Sequence, residues 1–262
     1  MLDKFCKAKL PEIAALVERQ KLGLMPRPQE GARPGFAAAL RAVPESSPIP
    51  AIIAEYKRAS PSCGDINLHV EPAEIAARYA AAGARAISVL TEEDYFKGSI
   101  EYLSLVAGAG LPLLRKDFIF HPLQIDATAA TRASAVLIIV RMLDDPMLSE
   151  LMYRCELHGL EAVVEVFDDQ DLFRAQEAGA AIIQVNNRDL NTLVVNLDVS
   201  RSLIARKRAG ELWITASGLS LHEDLEDLRG RGFDAALVGT ALMRGGDPGA
   251  GLAALIKGNG RG

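Results

Sequence analysis

The chain has 262 residues, of which 49% are hydrophobic and 24% are charged, and its formal net charge is −5. This composition is typical of a globular protein with a sizeable core, and the length suits one α/β barrel or two smaller domains. The acidic balance argues against nucleic acid or an anionic membrane as a partner, and no apolar run approaches the roughly 18 residues of a membrane span.

Cysteines, histidines and the first residues bear on compartment and metal binding. Acids and bases occur throughout residues 1–20, so we expect no signal peptide. Three widely spaced cysteines predict a reducing cytoplasm without disulfides: Cys6, Cys63 and Cys155. The histidines show no paired-ligand spacing, so we expect no metal site: His69, His121, His158 and His222.

Residues 1–48 predict a helical extension that is too short for a core of its own. A helical stripe is interrupted at Pro11, where we expect the helix to kink or restart: Leu2, Phe5, Leu10, Ile13, Leu16 and Val17. Residues 23–34 are rich in Pro and Gly and predict a linker. Residues 36–42 predict a second short helix.

Eight strand–helix alternations begin at residue 51. Apolar runs rich in Val, Ile, Leu and Ala predict strands covered on both faces, and the amphipathic segments between them predict helices. The strands are expected at 51–56, 86–91, 112–116, 135–140, 161–166, 181–186, 212–216 and 235–239. The helices are expected at 71–82, 99–108, 121–132, 146–158, 169–178, 198–209, 221–230 and 247–257.

This alternation predicts parallel strands joined by right-handed crossovers. The simplest architecture is an α/β fold with a single (β/α)8 TIM barrel over about residues 49–258, in one domain covering residues 1–262. An open doubly wound sheet is the alternative. The lack of a Gly-rich dinucleotide fingerprint after the first strand weakens that alternative.

Polar residues follow several predicted strands, at the end of a barrel where enzymes carry their catalytic groups. Glu55 and Lys57 are two positions apart, so on a strand their side chains point the same way. Each residue alone is equally well explained by a solvated ion pair or a turn. Convergence on one mouth favours a catalytic site built from Glu55, Lys57, Arg115, Lys116, Asp117, Glu165, Asn186, Asn187 and Arg188.

Small residues after the seventh and eighth strands predict a phosphate site. Ser217-Gly218 and Gly239-Thr240 allow backbone N–H groups to approach an anion, although the glycines also suit tight turns. Four apolar residues near the mouth could enclose an aromatic ring, with Phe96 the best candidate and core packing the default for Leu137: Phe96, Leu137, Leu190 and Leu193.

Five sequence blocks resemble the signature blocks of the indole-3-glycerol phosphate synthase family: IAEYKRASPS (53–62), SVLTEEDYFKGS (88–99), LLRKDFIF (113–120), QVNNRDL (184–190) and LVGTALMR (237–244). The resemblance covers about residues 50–245 and includes the helical N-terminal extension. It implies a cytoplasmic carboxy-lyase of tryptophan biosynthesis that uses no metal and no coenzyme. The implied reaction converts 1-(o-carboxyphenylamino)-1-deoxyribulose 5-phosphate to indole-3-glycerol phosphate with loss of carbon dioxide and water.

The resemblance also implies roles for individual residues. Lys116 is the general acid for ring closure, Glu165 is an acid–base carboxylate, and Lys57 engages the substrate carboxylate. Glu55 holds Lys57, and Asn186 binds a substrate hydroxyl or orients the acid. The remaining positions match substrate- or phosphate-binding residues, with Arg188 also expected to hold its own loop: Ser60, Phe96, Arg188, Ser217, Gly218, Gly239 and Thr240. Members of the family are often monomers, and we expect a monomer or a weak homodimer.

One position departs from the family pattern. The family has Glu-Ser-Gly after the seventh strand, whereas this chain has Ala216-Ser217-Gly218. The substitution removes a hydrogen-bond acceptor and a negative charge from the mouth. We therefore expect an attenuated enzyme or an altered pH optimum.

Three other functions are compatible with parts of the pattern. Another phosphosugar barrel enzyme would share the phosphate site, but the Glu-x-Lys and Arg-Lys-Asp arrangement argues against it. A Schiff-base aldolase would need Lys57 or Lys116 as nucleophile. A catalytically silent or substrate-shifted paralogue would bind a related phosphosugar or a partner subunit.

Overall fold

The computed structural model describes residues 2–244 and 246–258. Eight parallel strands close into a barrel in which β1 pairs with both β2 and β8. The barrel strands are β1 Ala51–Tyr56, β2 Ala86–Leu90, β3 Leu113–Lys116, β4 Ala135–Ile139, β5 Glu161–Val166, β6 Ile182–Asn186, β7 Leu212–Ala216 and β8 Ala235–Val238. A short antiparallel hairpin, Ala59–Ser60 with Gly64–Asp65, follows β1. The predicted (β/α)8 barrel is confirmed, and each strand boundary lies within one residue of its predicted position.

The strands are buried on both faces, as their continuous apolar sequences predict. Alternate side chains point into the barrel and pack there, as Ile53 and Leu114 do. Those between them, such as Ile52 and Trp213, belong to a second cluster beneath the surrounding helices. The barrel interior is therefore a packed core below the polar residues of its mouth.

Helices connect the strands and cover the barrel. They are α1 Leu2–Lys21, α2 Phe36–Arg41, α3 Pro72–Ala81, α4 Tyr102–Val106, α5 Pro122–Ala129, α6 Asp145–Leu157, α7 Asp169–Glu177, α8 Asp198–Leu203, α9 His222–Gly230, α10 Thr240–Met243 and α11 Pro248–Lys257. The predicted helices 99–108 and 198–209 are shorter than expected, because each passes into a single 3-10 turn. The short helix α10 was not predicted, since four residues give too little periodicity to detect.

Helix α1 continues through Pro11, so the expected restart of the helix there is wrong. Proline removes one backbone donor from a helix interior. Phe5 and Leu16 are buried on either side of it. Tertiary packing of both halves therefore holds them in one helix. As predicted for the linker, residues 23–34 form neither helix nor strand, and the second helix begins at Phe36.

The two helices of the extension contact opposite ends of the barrel. Near the mouth, Phe5 of α1 stacks on Phe118, with ring centroids 4.1 Å apart. At the other end, Glu161 at the start of β5 accepts hydrogen bonds from the Phe36 and Ala37 N–H groups of α2. These contacts satisfy backbone donors at the start of the helix. None of the helices that the structure describes is long and apolar enough to cross a membrane.

Candidate active site

A cavity of about 360 Å³ opens at the carboxyl ends of the strands. This is the size of a small-ligand site, at the location where barrel enzymes bind substrates. The twelve residues to which the family resemblance assigns roles line it: Glu55, Lys57, Ser60, Phe96, Lys116, Glu165, Asn186, Arg188, Ser217, Gly218, Gly239 and Thr240. The topology therefore brings together side chains that are widely separated in the sequence. The expectation that Arg115 and Asn187 belong to the site is wrong, because Arg115 contacts Glu12 and Asp117 and Asn187 donates to Thr215 Oγ1.

Glu55 and Lys57 at the end of β1 form an ion pair. Lys57 Nζ lies 2.7 Å from Glu55 Oε1, and both side chains are largely buried. Burial strengthens such a pair, because little water competes for either charge. The pair presents an ammonium group to the cavity in a fixed position.

Gly239, after β8, provides the space that Glu55 occupies. A Cβ atom at position 239 would lie 2.3 Å from Glu55 Oε1, which is a direct clash. From the sequence, Gly239 is expected to bind an anion or to form a tight turn. In the structure, its missing side chain also allows the Glu55 carboxylate to reach Lys57.

A second ion pair joins β3 to β5. Lys116 Nζ lies 3.4 Å from Glu165 Oε2, and Glu165 is only 2% exposed. The other carboxylate oxygen accepts a hydrogen bond of 3.2 Å from Asn186 Nδ2. Glu165 is thus an enclosed carboxylate between a cation and an amide, an environment suited to proton transfer.

Asn186 has a defined orientation at the end of β6. Its Oδ1 accepts hydrogen bonds from the Arg188 backbone N–H and from Ser217 Oγ, so its Nδ2 must face Glu165. The Arg188 side chain donates to the Leu193 carbonyl within its own loop. This contact agrees with the expectation that Arg188 holds that loop.

The glycine-lined side of the cavity lies across β7 and β8. Ser217 and Gly218 have φ angles of 72° and 85°, and a Cβ at Gly218 would lie 2.3 Å from Val195 Cγ1. This left-handed turn therefore requires glycine at position 218. Arg244, which sequence reasoning did not single out, also lines the cavity, and its Nη2 lies 2.9 Å from Cys63 Sγ.

Aromatic and aliphatic side chains form another wall of the cavity. Phe96 packs against Phe5 and Phe118 with ring centroids 6.2 Å from each. Leu137, Leu190 and Leu193 also line the cavity, in agreement with their predicted place near the mouth. The extension contributes Phe5 to this wall, which its hydrophobic stripe alone did not reveal.

A buried ion network flanks Lys116 on both sides. Asp117 Oδ2 lies 2.9 Å from Lys9 Nζ of α1 and 3.0 Å from Arg115 Nη2, and Arg115 also contacts Glu12. Burial opposes ionisation of Asp117, but the charges of Arg115 and Lys9 outweigh it, so the pKa of Asp117 is lowered. The network joins α1 to the strand that carries Lys116.

Lys9 and Glu12 were missed because charges on a helix near the N-terminus usually face solvent. Glu92 was missed for a similar reason, since it follows β2 within an acidic stretch. It is buried and accepts hydrogen bonds from the backbone of Asp94, Tyr95 and Phe96. Burial raises the pKa of Glu92, and it outweighs the three backbone hydrogen bonds, which act to lower the pKa.

Gln184 was also missed, although the run IIQVN carried a usable signal. Because side chains alternate along a strand, this polar residue lies on the inward face with Ile182 and Asn186, and its amide contacts Glu165.

Among the residues that the structure describes, no group of three His, Cys, Asp or Glu side chains is arranged to hold a metal ion.

Comparisons with known proteins give a consistent result. The family model for indole-3-glycerol phosphate synthase matches residues 2–255. An indole-3-glycerol phosphate synthase of a Polaromonas species (strain JS666) is 39% identical over 259 residues, 98% of each chain. The enzyme of that name from Carboxydothermus hydrogenoformans is 45% identical over 207 residues, 78% of each chain.

Among solved structures, a 3-hexulose-6-phosphate synthase from Salmonella typhimurium aligns with a TM-score of 0.65. The alignment covers 79% of this chain and 97% of that one at 15% identity, so it shows a common barrel fold. The family match spans nearly the whole sequence, and its residues converge on one cavity. The chain belongs to the indole-3-glycerol phosphate synthase family.

Proposed function

We propose that this chain converts 1-(o-carboxyphenylamino)-1-deoxyribulose 5-phosphate to indole-3-glycerol phosphate, carbon dioxide and water. One observation carries the proposal: two lysine–glutamate pairs, Lys57–Glu55 and Lys116–Glu165, line the same cavity as the glycine turns after β7 and β8. A cavity of this kind suits a substrate with an acid at the reacting end and a phosphate at the other.

Ring closure requires an aryl carbon to attack the ketose carbonyl while its oxygen gains a proton. In our proposal Lys116 supplies that proton, and its partner Glu165 keeps the ammonium group in place. The apolar wall that includes Phe96 holds the aromatic ring against the carbonyl. Close confinement of the two reacting atoms supplies much of the rate enhancement.

Lys57 binds the substrate carboxylate before it leaves as carbon dioxide, and Glu55 fixes the position of Lys57. Dehydration then requires the hydroxyl on the former ketose carbon to gain a proton and leave as water. The neighbouring ring methylene, the former C1 of the sugar, loses a proton, and the ring nitrogen keeps its N–H. Glu165 shuttles these protons, and Asn186 orients its carboxylate. The protein's own acids and bases supply every step, so we expect no metal or cofactor requirement and full activity in EDTA.

The phosphate is assigned to the glycine-lined side of the cavity. Backbone N–H groups at Gly218 and Gly239 and the hydroxyls of Ser217 and Thr240 suit its oxygens. Ser60 contributes from the short hairpin after β1. Arg188 shapes this side by holding its own loop.

Product fluorescence after addition of the substrate tests the proposal directly. Wild-type protein should form indole-3-glycerol phosphate, and Lys116→Ala should abolish its formation. Lys21→Ala, at an exposed position of α1, is the matched control and should keep wild-type activity. A wild type without product, or a fully active Lys116→Ala protein, would contradict the assignment.

We also propose a cytoplasmic monomer or weak homodimer. Free thiols at Cys6, Cys63 and Cys155 support a reducing compartment. Sedimentation velocity at two protein concentrations tests the assembly. A concentration-independent dimer would contradict it.

A further inference from the structure

Gln184 is a buried polar side chain in the barrel interior that the proposed reaction does not use. It lies in the middle of β6 and is 0% exposed. Its Nε2 donates a hydrogen bond of 2.5 Å to Glu165 Oε2. Its Oε1 is also buried and has no hydrogen-bond partner within residues 2–244 and 246–258.

An unpaired buried carbonyl oxygen opposes folding, and an apolar side chain at this position would avoid that cost. The neighbouring group explains which half of the amide is satisfied. An ionised carboxylate only accepts hydrogen bonds, so Glu165 takes the NH₂ group and leaves Oε1 without a donor. The arrangement favours Glu165 at the expense of Gln184, which points to a functional role.

Three side chains donate to Glu165, and they differ in their access to the cavity. Lys116 and Asn186 line the cavity, so a bound substrate competes for both of them. Gln184 has no exposed surface and lies beneath the carboxylate. Its hydrogen bond therefore persists when substrate fills the cavity and the other two donors change partners.

We propose that Gln184 is a positioning residue that fixes the Glu165 carboxylate and stabilises its ionised form during turnover. The inference rests on the proposed acid–base function of Glu165. A neutral amide stabilises the carboxylate without adding a positive charge that would repel Lys116. The expected consequence of losing it is a carboxylate that binds protons more readily and is less well oriented.

Gln184→Met preserves side-chain length and removes both hydrogen-bonding groups. Leu114→Met is the matched control, since Leu114 is a buried inward residue of β3 and this exchange conserves volume. We expect Gln184→Met to lower kcat about tenfold or more, with KM within about threefold of wild type. The acidic limb of its kcat–pH profile should move up by about one pH unit, and Leu114→Met should show neither change.

Infrared spectroscopy supplies a measurement that does not depend on activity. Difference spectra between each protein and its Glu165→Gln counterpart isolate the carboxyl band of Glu165. In Gln184→Met the carboxylate stretching band should be shifted relative to wild type, because Glu165 has lost one hydrogen-bond donor.

The outcomes separate this inference from the proposed function. An active wild type with a Gln184→Met protein that matches Leu114→Met in kcat and pH profile would overturn the inference alone. An unchanged carboxyl band would overturn it as well. An inactive wild type with a shifted band would refute the proposed function and still support the contact between Gln184 and Glu165.

Discussion

The contact between Gly239 and Glu55 gives the sharpest prediction for the catalytic cavity. In Gly239→Ala the new Cβ would lie 2.3 Å from Glu55 Oε1, and ordinary contacts begin at 3.4 Å. Glu55 must therefore move by about 1 Å, because its carboxylate is the group in the way. It is 2% exposed, so the movement breaks its 2.7 Å contact with Lys57.

A displacement of about 1 Å at a reacting group is typically associated with a loss of about 100-fold in rate, or about 2.7 kcal/mol. We expect this loss in kcat at saturating substrate, measured by product fluorescence. Gly251→Ala in α11 is the control, since a Cβ added at that position would point into open space. It should keep wild-type kcat and stabilise the helix by about 0.5–1 kcal/mol.

A double-mutant cycle with Glu55→Ala identifies the cause of the loss. If Gly239→Ala acts through Glu55, its effect on kcat should shrink to less than about threefold in the Glu55→Ala background. An equal loss in both backgrounds would refute the steric explanation. A raised KM with unchanged kcat would refute it too, because it would place the effect at the anion-binding backbone alone.

Three further predictions concern the surroundings of the cavity. Iodoacetamide should alkylate Cys63 before Cys155, because a hydrogen bond with Ser62 leads the effects that lower the pKa of Cys63, whereas burial raises the pKa of Cys155 to about 12. Peptide mass mapping checks this order, and the reverse order would contradict it. Ala216→Glu adds a carboxylate that faces the same cavity as Lys116, so we expect kcat to rise about tenfold in steady-state assays. A variant no faster than wild type would show that Ala216 does not impair the site. Asp117→Asn breaks a buried ion pair and should lower the free energy of unfolding by about 3–5 kcal/mol at pH 7 in urea titrations. Because the pKa of folded Asp117 is lowered, this stabilisation is present above the ordinary value of 3.8 and is lost as the pH falls below it, so the two proteins should converge in acid.

The sequence predicts the barrel well because its strands are buried on both faces. Such strands appear as uninterrupted apolar runs, and the turns between them confine each run closely. The cavity residues followed from topology, since parallel strands that close into a barrel bring their carboxyl ends to one mouth. Glu55 and Lys116 could therefore be assigned to the same site before their distances were known.

The site residues that sequence patterns did not identify depend on contacts between distant helices and strands, which local patterns do not contain. Lys9 resembles any charged residue on an exposed helix until the fold brings it to Asp117. The role of Gly239 towards Glu55 likewise depends on two strands from opposite ends of the chain. The alternation of side chains along β6 predicts that Gln184 points into the barrel. Its contact with Glu165 could be identified only once the pairing of β5 with β6 was known.

The pairing of β1 with β8, the first and last strands of the barrel, has a consequence for when activity appears during biosynthesis and refolding. Glu55 is synthesised long before Gly239, and the cavity that both residues line is complete only when β8 pairs with β1. A chain that stops before β8 lacks Gly239 and Thr240, and therefore part of the cavity lining. Recovery of turnover after dilution from denaturant should consequently lag behind recovery of circular dichroism, making catalysis a reporter of the final closing event.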